Sequence, residues 1–209
     1  EYMEIVLAAS QSGHPIATVN PKLTANDIVS ICEDAEAKLV FVDQKVASLL
    51  VGRNIRGVQE IIGIDNEMET LVAQTECPSQ LPTIKEKETF TIPYTSGTTG
   101  KPKGVLVPHR SRALTLYGMA DAYGCFSSHD RFLSIAPMCH GAGMIFSLAP
   151  IFFGGYAEIM DDFNPELVMK TLEDEEMTGF FGVPTHFYGM LGVDQSILCL
   201  LYTSDAADD

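Results

Sequence analysis

From Tyr94 to Gly104 the chain reads Tyr-Thr-Ser-Gly-Thr-Thr-Gly-Lys-Pro-Lys-Gly, directly behind the apolar run Phe90-Thr91-Ile92-Pro93-Tyr94. Glycine lets a backbone take positive φ and approach a ligand closely. Successive free backbone N–H groups form an anion-binding concavity. Hydroxyls donate to phosphate oxygens, and lysine brings a mobile point charge that suits phosphate. The chemistry these types fit is polyphosphate binding by Thr95, Ser96, Gly97, Thr98, Thr99, Gly100, Lys101 and Lys103. Lys101, at the apex beside Gly100, can swing to the phosphates, whereas Lys103 supports the loop's exit.

The alternative is a solvent-exposed turn between two strands, and charge weighs against it. The formal net charge is −15, yet no Asp or Glu occurs from Thr89 to Ala120, where Lys101, Lys103, Arg110 and Arg112 all fall. An acidic protein that binds ATP must clear its own carboxylates from the site. The loop is not the common nucleotide-triphosphate loop, which needs four residues between its glycines and a hydroxyl after the lysine. Here two residues separate Gly97 from Gly100, and Pro102 follows Lys101. Nor is it G-x-G-x-x-G, or the G-x-S-x-G of a nucleophilic serine, since Tyr94 stands where the first glycine would be.

This string resembles the signature phosphate loop of the adenylate-forming enzyme superfamily, Tyr-Thr-Ser-Gly-Thr-Thr-Gly-x-Pro-Lys-Gly. That family contains acyl-CoA synthetases and the adenylation domains of peptide synthetases. The resemblance implies a loop closing over the β- and γ-phosphates of ATP while a carboxylate attacks the α-phosphate. Ala136-Pro137-Met138-Cys139-His140-Gly141-Ala142-Gly143 is similar to the family's Pro-x-x-His segment, and Gly182-Val183-Pro184-Thr185 to its Val-Pro-Thr turn. By this likeness His140 and Gly141 line the acyl and adenylate pocket; the plain reading of His140 is a histidine satisfied at a strand end. A Cys139–His140 dyad is disfavoured because adjacent strand residues point to opposite faces. His109, His129 and His186 read as structural or exposed.

The resemblance implies an ATP-dependent acid–CoA ligase, with a carboxylic acid, ATP and CoA as small-molecule substrates. The alternatives are an adenylation domain that loads an amino or aryl acid onto a carrier protein, or a non-catalytic nucleotide-binding module. A γ-phosphoryl transferase using the same loop is a further rival. The family's Mg²⁺-holding Glu, ribose-binding Asp and catalytic Lys come after the last strand seen here. No complete catalytic set and no metal site is therefore expected in this chain, and residues 1–198 are expected to be inactive alone.

Strand and helix alternate along the chain, which points to an α/β fold of mainly parallel sheets flanked by helices. By the likeness it is part of the large N-terminal domain of an adenylate-forming enzyme. The pattern predicts a helix from Tyr2 to near Gly13, a strand at Ile16–Val19 and a Thr24-x-x-Asp27 capping box opening a helix to about Glu36. Lys38–Asp43 reads as a strand buried on both faces, followed by a short helix and the strand Ile61–Ile64. Asn66–Thr89 reads as a polar connection. Beyond the loop come a strand at Val105–Val107, a helix over Ser111–Tyr123, a strand at Arg131–Ala136 and a helix over Gly141–Phe153. Then follow a strand at Tyr156–Met160, a helix opened by Asn164-Pro165 and run to Glu176, the strand Thr178–Val183 and a helix from Pro184. The acids Glu173–Glu176 sit at the unfavourable end of that helix's dipole.

With 209 residues the chain can bury a core of ordinary size. Its acidity argues against nucleic acid as partner, and five cysteines without paired spacing point to a reducing, cytoplasmic setting. The apolar run Gly141–Phe153 is too short for a transmembrane segment, which needs ~20 residues. The chain opens on Glu1 without a signal peptide, so its true start is expected upstream. Residues 199–209, Cys-Leu-Leu-Tyr-Thr-Ser-Asp-Ala-Ala-Asp-Asp, resemble a translated sequencing adapter and are set apart from the domain at 1–198.

Overall fold

The computed structural model describes residues 1–95 and 102–194. They divide into two compact units between Leu114 and Thr115. The first contains α1 (Tyr2–Ser12), β1 (Ile16–Thr18), α2 (Ala25–Asp34), β2 (Leu39–Val42), α3 (Gln44–Leu50), β3 (Glu60–Gly63), α4 (Asn66–Gln74), β4 (Thr89–Thr95), β5 (Lys103–Gly104) and β6 (Val107–Pro108). Helix α5 (His109–Tyr123) begins in it and continues past its boundary. The second holds β7 (Arg131–Ser134), α6 (Gly141–Phe152), β8 (Tyr156–Ile159), α7 (Pro165–Asp174), β9 (Gly179–Phe181) and α8 (Pro184–Leu191).

Local signals set several boundaries. Gly13 ends α1 at φ 73°, where a β-carbon would also lie 2.8 Å from Ile84 Cδ1. Thr24 caps α2, accepting from the Asp27 N–H at 3.3 Å and donating to the Asp27 carboxylate at 2.6 Å. Asn164 accepts from Leu167 N, and Pro165 occupies the first turn of α7, where a missing N–H costs nothing.

In the first unit β1 pairs parallel with β4, and β4 pairs antiparallel with β5 and β6. A separate parallel pair joins β2 and β3. Ile28, Cys32, Val42, Val46, Leu50 and Ile55 form the core between α2, α3 and that pair. Only one face of β2 is packed: Val42 is 5% exposed but Leu39 is 49%. The expected two-sided burial fails because this sheet has two strands and its helices cover one side.

The supposed polar connection at 66–89 contains a helix, α4. It buries only Met68 among its described side chains, and Glu67 Oε2 accepts from Gly63 N at 2.7 Å, closing α4 onto the end of β3. The strand expected at Val105–Val107 is split. Lys103–Gly104 and Val107–Pro108 each take a stretch of β4, and between them Val105 and Leu106 are exposed.

The second unit is a parallel sheet in the order β8-β7-β9. Leu133, Ile135, Val168, Met169, Leu172 and Met190 form one cluster of its core. Phe146 of α6 stacks on Phe181 at 4.3 Å and on Phe132 at 5.8 Å. Helix α7 stops at Asp174, two residues before the expected end, and Glu176 turns the chain at φ 49°. Arg131 explains how the acidic end is tolerated. Its Nε donates to the Glu175 carbonyl at 2.6 Å and its Nη2 to the Glu175 carboxylate at 2.9 Å. Among the described residues no helix is long and apolar enough to cross a membrane.

Candidate functional site

Of the residues expected to grip phosphate, Ser96, Gly97, Thr98, Thr99, Gly100 and Lys101 lie outside the described residues. Their two roots are described. Strand β4 runs parallel to β1, and the loop leaves its carboxyl end, where open α/β sheets place ligands. The chain returns as β5, with Tyr94 opposite Gly104 and Thr95 opposite Lys103. Thr95 and Lys103 are exposed and face each other across an antiparallel pair, so the loop is closed at its base.

Gly104 is closely packed at that base. A β-carbon there would stand 2.9 Å from Ile92 Cγ2 and 3.0 Å from Tyr94 Cζ. The Tyr94 ring thus covers the glycine across the strand pair. Its hydroxyl donates to Asp34 Oδ2 at 2.7 Å, tying β4 to the last residue of α2. Burial, together with this carboxylate, pushes the tyrosine pKa above its ordinary value of 10.0.

A second set of contacts holds the other end of β4. Phe90 stacks on the His109 ring at 5.0 Å, and Arg112 Nη2 donates to Thr91 Oγ1 at 2.6 Å. Arg110 pairs with both oxygens of Glu86 at 2.9 and 3.0 Å. The cationic window read from the sequence is therefore not all available to a ligand. Arg110 is matched by a carboxylate outside the window, and Arg112 is buried.

His140 and Gly141 belong to the second unit. His140 is the exposed N-cap of α6, with no side-chain capping bond. Its N–H donates to Pro137 O at 3.0 Å, and its carbonyl accepts from Met144 N at 2.9 Å. A β-carbon at Gly141 would meet nothing within 4 Å. Gly143, which the sequence reading did not single out, is the constrained glycine. There a β-carbon would fall 2.1 Å from Pro137 O and 2.9 Å from Ala136 O. Its carbonyl accepts from Ser147 Oγ at 2.8 Å, and Ser147 pairs in turn with Ser134 at the end of β7. Both serines are buried. The turn that presents His140 is thus clamped between β7 and α6. The repeated small residues Gly141-Ala142-Gly143 were the available signal, but their spacing does not say which one touches backbone.

His186 and His109 each stack on a phenylalanine, Phe163 at 4.5 Å and Phe90 at 5.0 Å, and His129 is exposed. Among the described residues no three of His, Cys, Asp and Glu converge to hold a metal ion. A groove of about 470 Å³ between β3 and α4 is lined by Glu60 and Glu67, the wrong charge for a polyphosphate.

The family model described as AMP-binding enzyme matches residues 1–205. A 3-methylmercaptopropionyl-CoA ligase of Ruegeria pomeroyi is 29% identical over 212 residues, covering 91% of this chain and 38% of that protein. Tyrocidine synthase 3 of Brevibacillus parabrevis is 26% identical over 190 residues, covering 89% of this chain and 3% of that protein. The inhibitor-bound N-terminal domain of FACL13 from Mycobacterium tuberculosis has a similar fold, with a TM-score of 0.86 at 24% identity. That likeness covers 93% of this chain and 50% of that one. The chain spans well under half the length of the curated relatives it matches.

Proposed function

The chain belongs to the AMP-binding enzyme family, and on that footing we propose that its parent protein is an ATP-dependent ligase joining a carboxylic acid to CoA. A carboxylate oxygen attacks the α-phosphorus of ATP and the bond to pyrophosphate breaks, leaving an acyl-adenylate. The CoA thiolate then attacks the acyl carbon, and AMP leaves with the electron pair of the broken C–O bond. Positioning and electrostatic stabilisation carry such a transfer.

In this reading Ser96, Thr98, Thr99 and Lys101 hold the departing pyrophosphate, Thr95 and Lys103 close the base of the loop, and His140 and Gly141 line the acyl side. Mg²⁺ would be held by residues of the parent beyond this chain. Residues 1–198 would be part of the large N-terminal domain, 199–209 an added tail, and the setting cytoplasmic. The carrying observation is the unbroken signature string, rooted on the paired strands β4 and β5 at the carboxyl end of a parallel strand.

The test is acid-dependent exchange of pyrophosphate into ATP by the full-length parent, before and after Thr98, Thr99 and Lys101 are all replaced by alanine. Loss of a phosphate hydrogen bond costs about ten- to a hundredfold per contact, so the triple variant is expected to lose measurable exchange. Full turnover would remove the reading. The similarity to a small part of a very large synthase favours one second reading, loading of an amino or aryl acid onto a carrier protein. Acyl transfer to a carrier's phosphopantetheine thiol but not to free CoA would establish it.

A further inference from the structure

Arg112, in the first turn of α5, is 7% exposed and Thr91 is 1% exposed. One short hydrogen bond joins them, and the Arg112 Nε has no hydrogen-bond partner. Among the described residues no carboxylate pairs with this guanidinium. Burial alone pushes its pKa down from the ordinary arginine value. A guanidinium carries five N–H donors in a fixed fork, and burying one without a counter-charge is costly. A methionine would fill the same space without that cost.

The place where the cost falls is informative. Strand β4 shifts register against β6 between Thr89 and Thr91. Such a bulge bends a strand and re-aims its side chains. Here two successive residues, Phe90 and Thr91, both reach the start of α5, one through the His109 ring and one through Arg112. Thr95, the first hydroxyl of the phosphate loop, lies four residues further along the same strand, about 13 Å at ~3.3 Å per residue. A strand is stiff over that length, so the angle at which its root is held sets where its tip points.

We propose that Arg112 is a positioning residue for ATP binding, holding the bulged root of β4 through Thr91 and so setting the angle at which the strand delivers Thr95 to the phosphates of ATP. The proposal rests on the ATP-binding reading of the loop. Its rival is that the arginine stem only fills space.

The experiment uses the full-length parent with Arg112→Met, which keeps the stem, Thr91→Val, which keeps the shape but not the acceptor, and the double variant. Each single change is expected to raise KM for ATP about three- to tenfold and leave KM for the carboxylic acid unchanged. The double variant should be no worse than the worse single, because both break one link. An unmoved ATP KM, additive effects, or a parallel rise in the acid's KM overturns the proposal. Should Arg112→Met fail to fold, Thr91→Ser against Thr91→Val decides. The serine retains the hydroxyl and must match wild type, and equal behaviour of the two overturns the assignment. Should wild-type parent show no acid-dependent exchange, the ligase reading fails on its own. The same variants are then read by ATP affinity in calorimetry, where an unchanged affinity sinks the role given to Arg112.

Discussion

Tyr94 is the side chain through which the loop's root can be tested most directly. Its hydroxyl meets Asp34 sixty positions away in sequence, and its ring covers Gly104. A hydrogen bond to a charged group is worth about 1.5–3 kcal/mol, and solvent screening at this partly exposed pair reduces that to roughly 1 kcal/mol. Tyr94→Phe is therefore expected to lower unfolding free energy by about 1 kcal/mol in urea and to raise KM for ATP several-fold. It also carries a pH signature. The folded tyrosine ionises above its ordinary value of 10.0. Its contribution to stability is therefore complete below that value and is lost as pH rises through the higher folded one. The wild type should lose stability above pH 10 more steeply than Tyr94→Phe, and equal slopes would show that the Asp34 contact does not survive in solution. Gly143 gives the matching test in the second unit. A methyl group at 2.1 Å from a backbone oxygen cannot be absorbed by a rotamer change. Gly143→Ala should cost about 2–4 kcal/mol and displace the turn carrying His140. Gly141→Ala, with open space around it, should melt within a degree or two of wild type.

At the level of elements, β7 and α6 are joined by polar atoms in an otherwise apolar core. Ser134 and Ser147 are 2% and 0% exposed. Ser147 donates to Gly143 O and is the hydrogen-bond partner of Ser134. Ser147→Ala would strand the Ser134 hydroxyl, at about 1–3 kcal/mol. The double alanine variant should be destabilised by less than the sum of the singles, since it leaves no orphan. Urea titration of the four proteins measures this, and strict additivity would show that the pair is not coupled. Elements of this kind mark where sequence reading stops. Gly13, Thr24 and Asn164-Pro165 announced their helix ends because capping is local chemistry, and the structure agrees with each. The strand leading into the loop was legible for the same reason. Helix α4 was not, because its short apolar stripe, Met68, Leu71 and Val72, lies in a polar stretch broken by Pro78 and Pro82, and only Met68 of it is buried. The exposed face of β2 was hidden too, since an apolar run does not say how many strands its sheet will have. Arg112 looked like part of a cationic surface. Nothing in the spacing announces that it is buried against Thr91, beside a register shift of β4.

For the whole molecule, what matters is how much of the proposed reaction this chain can carry. It holds the loop and the His140 turn, and it spans 38% of the length of a CoA-ligase relative that it matches. Each unit also exposes large apolar side chains. Leu39 and Phe41 stand out on β2, at 49% and 36%, and Tyr188 and Leu191 on α8, at 75% and 69%. In either unit, such apolar exposure marks an interface or an aggregation hazard. Produced alone, the 209-residue chain is therefore expected to bind a hydrophobic dye such as anilinonaphthalene sulfonate and to self-associate at micromolar concentration. The parent should do neither. Catalysis should divide the same way. On the proposed reading the loop would also need a metal ligand and a ribose contact beside it before α-phosphoryl transfer is fast, because such transfers depend on all the charges being placed together. The chain alone should then form no acyl-adenylate above the uncatalysed background, while the parent does, as read by acid-dependent pyrophosphate exchange. Adenylate formation by the purified chain would mean that the phosphate loop and the His140 turn suffice for the first half-reaction. The parts assigned to the rest of the parent would then be needed only for transfer to the thiol.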